Sequence, residues 1–154
     1  MNTGINQNDR FVVAQELSHL LADSYFIYLK THGYHWNVTG PMFHNLHSLF
    51  GEQYLELWNA LDLIAERIRG LGHFAPYTCE KLMSLTQVRE TSEIPNAKTM
   101  VEDLLQGQEL LINTARGIFP IANKAGDETT LDLVTQRLIV HEKNAWMLRS
   151  LLAN

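Results

Sequence analysis

Apolar residues recur at helical spacing along almost the whole chain, and the breaks between the stripes are of very unequal length. Period and break length together restrict the fold more than any other feature. The first stripe holds Ala14, Leu17, Leu21, Tyr25, Tyr28, His32 and His35, and it predicts a helix from about Asp9 to Trp36. The stretch Asn37-Val38-Thr39-Gly40-Pro41 breaks it. Thr39 or Gly40 is expected to cap a second helix, with Pro41 in the first turn, where a missing N–H costs nothing. The second stripe is Phe43, Leu46, Phe50, Tyr54, Leu57, Leu61, Ile64 and Ile68, closed by Gly70-Leu71-Gly72. Residues 70–94 contain Pro76 and no long stripe, only one short helical piece near Glu80 to Leu85. A third long helix is expected after Pro95, with Ala97, Val101, Leu104, Gln108, Leu111, Ala115 and Ile118 in register. Pro120 is expected to kink or end it, because it cannot donate to the carbonyl of Arg116. Asp127 is placed to cap a fourth, with Leu131, Val134, Leu138, His141, Ala145, Leu148 and Leu152 on its stripe. No strand pattern, internal repeat or low-complexity tract is present.

The breaks set a topology. A short break makes the first two helices antiparallel neighbours, and the same holds for the last two. The middle connection has about 25 residues, enough to cross a helix of roughly 40 Å at ~3.3 Å per residue. The expected fold is all-α: a four-helix bundle with one long crossover containing a short helix, which is the ferritin-like arrangement. Residues 1–8 read as a short flexible N-terminus and residues 9–154 as a single domain.

Composition agrees with a packed domain and narrows the partners. The 154 residues are 45% hydrophobic and 19% charged, which suits one globular core. No apolar run is long enough for a transmembrane helix, and residues 1–10 have neither signal-peptide nor transit-peptide character, so a cytoplasmic protein is expected. Cys79 is the only cysteine, which excludes an intrachain disulfide and a thiolate metal cluster. The net charge of −5 opposes whole-surface attraction to nucleic acid and suits attraction of cations.

Four residues between positions 35 and 66 have the chemistry of metal ligands: His35, His47, Asp62 and Glu66. Asp62 and Glu66 are four apart, so both carboxylates share one face of the second helix. His47 lies on roughly the same side but fifteen residues earlier, about 22 Å away along the axis. Ligand distances near 2 Å therefore forbid a common ion within one chain. His35 precedes the turn and His47 follows it, so these two can meet at one end of the hairpin. If two copies of the second helix cross antiparallel about a two-fold axis near Leu55, His47 of one copy approaches Asp62 and Glu66 of the other. Gly51, Leu55 and Trp58 would line that contact, and Gly51 would permit close helix approach. Two imidazoles and two carboxylates suit Fe(II), Zn(II) and Mn(II), and room left for an oxidant favours redox iron.

Other readings compete at each position. Asp62 and Glu66 taken alone read as a solvated face, with Glu66 paired to Arg67 or Arg69. A lone His35 or His47 reads as a hydrogen-bonded, partly buried histidine. His32 reads as a core or supporting group beside His35, with a ligand role as the alternative, His44 and His73 as surface or loop groups, and His141 as structural. Trp36 and Trp58 read as packing residues, with a second role as electron donors near an iron site. Glu16-Leu17-Ser18-His19 is a Glu-x-x-His motif, but a di-iron centre inside one bundle needs two such motifs and this chain has one.

At these residues the chain resembles the Dps family, the mini-ferritins also called starvation-induced DNA-binding proteins. The resemblance covers most of the chain and is densest from Tyr28 to Gly72. It is carried by Lys30 to Gly40 (KTHGYHWNVTG), Phe43 to Phe50 (FHNLHSLF), Asp62 to Gly72 (DLIAERIRGLG) and His141 to Leu152 (HEKNAWMLRSLL). It implies ferroxidase ligands at His35 and His47 of one subunit and at Asp62 and Glu66 of its two-fold mate. It also implies a hollow dodecameric shell, oxidation of Fe(II) to Fe(III) preferentially by hydrogen peroxide, storage of ferric oxide and indirect protection of DNA. Zn(II) would serve as a surrogate at the same site. Asp127, Glu128 and Asp132 are pore candidates, and Glu52 and Glu56 are mineral-nucleation candidates.

The chain departs from the DNA-binding members of that family. Residues 1–10 hold one Arg, one Asp and no Lys, and the sequence ends Leu151-Leu152-Ala153-Asn154. Such ends neutralise few phosphates, so direct DNA binding is expected to be weak or absent. The competing classes are a DNA-binding, nucleoid-compacting structural protein, which that departure opposes, and a surface antigen or adhesin, for which no residue argues.

Overall fold

The computed structural model describes residues 2–153. Met1 and Asn154, which end the expected N-terminal segment and the expected domain, lie outside the described residues. The order is α1 (Gln7–Asn37), α2 (Phe43–Gly70), α3 (Cys79–Leu85), α4 (Ala97–Ala125) and α5 (Glu128–Leu152), with no strand among the described residues. The four long helices form the bundle and α3 is the short helix of the crossover. Helix α1 packs against both α2 and α4, and α4 packs against α5. The α2 and α5 helices form the fourth and most open side of the bundle, where Arg67 meets Asp127 and Glu56 meets Arg137.

Because α1 has neighbours on two sides, it is apolar on more than one face. Leu17, Leu20 and Ile27 are all buried on it. One core cluster joins Leu17, Leu57, Ile64, Leu111, Ile118 and Val134, while a second, at the α1–α2 turn, joins Tyr34, Leu46, Phe50, Leu104 and Leu148. Gly107 admits the close approach of α1, because a Cβ there would fall 2.5 Å from Ile27 Cδ1.

Several boundaries differ from the sequence expectation for local reasons. Helix α1 starts at Gln7, inside the segment expected to be flexible, because the Asn6 side chain accepts the Asp9 N–H and caps it. Thr39 and Gly40 do not cap α2. Gly40 has φ +106°, which makes it a turn residue, and α2 begins at Phe43 after Met42, without a side-chain cap. Pro120 does not end α4, which continues to Ala125. Pro120 and Arg116 face water, so the carbonyl deprived of its donor can be solvated, while Ile118 and Ala122 hold both halves of the helix in the core. Asp127 caps α5 as expected, accepting from Thr130 N at 2.9 Å.

The crossover is tied to the bundle by polar contacts. The buried Asp23 carboxylate accepts from Thr86 Oγ1 at 2.9 Å, Gln87 N at 2.8 Å and Thr114 Oγ1 at 3.0 Å. His19 Nδ1 donates to the Leu85 carbonyl at 3.0 Å, so the histidine of the single Glu-x-x-His motif anchors the crossover. No helix among the described residues is long and apolar enough to cross a membrane.

Candidate metal centre

The short turn between α1 and α2 brings His35 and His47 together. Their rings stack with centroids 3.8 Å apart and planes inclined by 19°. Each then locks the other. His35 Nδ1 donates to the His47 carbonyl at 2.7 Å, and His47 Nδ1 donates to the His35 carbonyl at 2.7 Å. A carbonyl can only accept, so in both rings Nδ1 carries a proton, and the neutral tautomer that fits has its lone pair on Nε2. Neither Nε2 has a hydrogen-bond partner among the described residues. This is the orientation that metal-binding imidazoles take, with the second nitrogen held by a backbone acceptor.

Gly51 contributes room at this point. A Cβ on it would lie 3.3 Å from Cε1 and Nδ1 of His35. Within the chain it therefore serves the seating of His35.

The carboxylates stand elsewhere. Asp62 and Glu66 lie on the exposed face of α2, and neither takes part in an ion pair among the described residues. The pairing of Glu66 with Arg67 or Arg69 does not form: Arg67 binds Asp127 at 2.6 Å, and Arg69 donates to the His73 carbonyl at 2.9 Å and lies over the Phe74 ring. No three metal-ligating side chains cluster within one copy among the described residues. Asp62 borders a groove of about 580 Å³ with Trp58, Leu61, Ala65, Pro76 and Tyr77. Leu55, Trp58 and Leu63 on the same helix are 53%, 56% and 53% exposed, a high figure for large apolar side chains. Trp36 is 63% exposed, so neither it nor Trp58 is a packing residue within a single copy.

Around the histidine pair lies an aromatic group the sequence reading treated only in part. His32 stacks on Tyr54 at 3.9 Å, stands 4.2 Å from Trp36 and shares a 3.3 Å hydrogen bond with Tyr28. Tyr54 in turn meets the edge of His35 at 5.2 Å. Burial and the neighbouring His35 hold the His32 pKa below the ordinary imidazole value. Tyr28 and Tyr54 both lay on the apolar stripes, and that position signalled burial alone.

The acidic pore and nucleation candidates divide. Asp127 is buried and bound by Arg67 and Thr130, which removes it from any solvent-lined pore. Glu128 and Asp132 are exposed, with Asp132 accepting from Gln136. Glu56 accepts two bonds from Arg137, at 2.5 and 2.8 Å, and Glu52 is exposed.

Comparison with known proteins accords with this fold. A family model described as a ferritin-like domain matches residues 14–154. The chain is 38% identical over 152 residues to an uncharacterized low temperature-induced protein of Nostoc sp., covering 97% of this chain and 85% of that one. It is 34% identical over 140 residues to DNA protection during starvation protein 2 of Bacillus anthracis, covering 91% and 96%. Among solved structures it is similar to the Dps protein of Vibrio cholerae O1, described as a member of a broad superfamily of ferritin-like diiron-carboxylate proteins, with TM-score 0.94, 30% identity and coverage of 99% and 97%.

Proposed function

This chain belongs to the ferritin-like family, in its Dps branch, and from that premise we propose that it is a ferroxidase whose site is shared between two copies. Iron sequestration and DNA protection go with the family. The observation that carries the finer reading is the reciprocal lock of His35 and His47. It leaves both Nε2 atoms without partners among the described residues at one end of α2, while two unpaired carboxylates, Asp62 and Glu66, stand about 22 and 28 Å away on the same helix. A two-fold crossing of α2 near the exposed Leu55 superposes the two halves and would cover Leu55, Trp58 and Leu63.

In that site His35 and His47 hold Fe(II) through Nε2, and the partner's carboxylates supply the charge that favours Fe(III). Iron is the substrate. Two Fe(II) ions each give up one electron to one hydrogen peroxide molecule. The O–O bond breaks, two protons are taken up and two waters leave, so no hydroxyl radical is released. The ferric product is stored inside a dodecameric shell. With −5 charges on the chain, direct DNA binding is weak, and protection is indirect. Zn(II), which has the same ligand preference and no redox chemistry, occupies the site as an inhibitor.

The test is an anaerobic Fe(II) load followed by a peroxide pulse, then size exclusion with iron and protein read together. Oxidised iron is expected to travel with a large assembly, with peroxide outpacing dioxygen. Iron left reduced, or precipitated away from the protein, would reject the ferroxidase reading.

A further inference from the structure

The bundle has a polar layer near its middle, on the helix faces that elsewhere carry the apolar core. His141 on α5 is fully buried, and its Nδ1 donates to Gln108 Oε1 on α4 at 2.8 Å. Its Nε2 faces Arg137 Nη2 at 3.3 Å, where a guanidinium can only donate. Both contacts select the same neutral tautomer. Arg137, 4% exposed, passes on to Glu56 of α2.

This network leaves donors over. Among the described residues Gln108 Nε2 and Arg137 Nε have no protein partner, nor does Asn144 Nδ2, and Gln53 has none at either Nε2 or Oε1. Gln53 is 3% exposed, Gln108 0% and Asn144 8%. Helix geometry sets these groups in one layer. Helices α2 and α5 run antiparallel, because Arg67 meets Asp127 and Thr130 whereas Glu56 meets Arg137. Gln53 is one turn from Glu56 toward the level of His141, about 4.5 Å along the axis, and Asn144 is one turn beyond His141. Since α2 and α5 are neighbours joined by the Glu56–Arg137 pair, these buried amides come from adjacent helices at about one level of the core.

We propose that this layer is a hydration site, in which internal water bridges Gln53 of α2, Gln108 of α4, and Arg137 and Asn144 of α5. The donor count decides the class of ligand. Four unpartnered donors and one acceptor, beside a guanidinium, exclude a cation. An anion is disfavoured too, because Glu56 already neutralises Arg137 and an anion cannot donate to Gln53 Oε1. Water accepts and donates, and buried amides of this kind are its usual partners. The site is independent of the iron reading.

The test is a crystal structure of the assembled wild-type protein at a resolution that orders solvent, with a parallel bromide soak. A solvent peak is expected within hydrogen-bond distance of the Gln53 amide and of at least one of Gln108, Arg137 and Asn144, with no anomalous bromide signal there. Direct bonding of Gln53 to Asn144 or Gln108 without solvent would overturn the proposal, and so would bromide in the layer. In Gln53→Leu the peak is expected to vanish while the rate of iron oxidation is unchanged; a retained peak would remove Gln53 from the site. If Gln53→Leu does not fold, the wild-type measurement decides alone.

Discussion

The two ends of α2 are both polar, and they are built on opposite principles. At its C-terminal end Arg67 meets Asp127 and Thr130, and every bond closes within the chain. At its N-terminal end His47 and His35 also bond reciprocally, yet each ring keeps one nitrogen without a partner. A polar cluster that satisfies itself holds the fold together. A cluster whose internal bonds fix its orientation, and leave matched lone pairs over, is organised for something outside the chain. The same helix carries a third polar set, Asp62 and Glu66, which has no ion-pair partner among the described residues of its own copy.

The largest expected effect tests whether the open end is completed by a second copy. His47→Ala and Asp62→Ala should each slow iron oxidation by roughly 100-fold or more, since loss even of a supporting group around a metal costs about 10–100-fold. Assembled together, the two variants should recover part of the activity. In a mixed pair one site carries both defects and the other carries neither. Rates in the mixture no higher than in either variant alone would rule out a shared site.

The closed end should respond in stability instead. Asp127→Ala strands Arg67 and removes the α5 cap, and is expected to cost about 3–5 kcal/mol of unfolding free energy in denaturant titration while Zn(II) uptake at the histidine end persists. Burial pushes the Asp127 carboxyl up, but the bonds from Arg67 and Thr130 outweigh it, and the net pKa is lowered. The sign follows: its contribution is present above the ordinary carboxylate value and is lost as pH falls through the lower folded value. An unfolding free energy that falls by less than about 1 kcal/mol would mean this end is no more than surface decoration.

Between the two ends sits His141. Burial first, and Arg137 second, lower its pKa from 6.5 to about 3. The unfolded chain binds a proton there that the folded chain refuses, so stability should decline as pH falls from 6.5 toward 3. His141→Gln should flatten that part of the stability–pH curve, and an unchanged slope would assign it to other groups. The smallest effect is local to the α4–α5 turn beside Asp127. Gly126 has φ +65°, so Gly126→Ala should cost about 1 kcal/mol in thermal denaturation without touching the histidine end.

Much of this was legible in residue order. Helical periodicity located all four long helices and the short piece near Glu80, and the break lengths indicated the antiparallel hairpins and the long crossover. The rise per residue alone separated His47 from Asp62 and Glu66. What failed in reading lay at helix ends and on faces. Periodicity carries no information about whether Gly40 adopts a positive φ or whether Pro120 faces water, so the α2 start was misplaced and an end of α4 at Pro120 stayed open as an alternative to a kink. Asp127 had the right residue type for both a cap and a pore, and its burial against Arg67 decided between them.

Sequence by itself determined which residues lie on which helix and how far apart along the axis they stand, because helix pitch is a property of the backbone. Tertiary structure alone decided which of those groups find partners. His35 and His47 are twelve residues apart, Arg67 and Asp127 sixty, and Gln108 and His141 thirty-three. Whether such a meeting leaves a lone pair free, a charge neutralised or an amide unpaired depends on ångström-scale distances between packed helices.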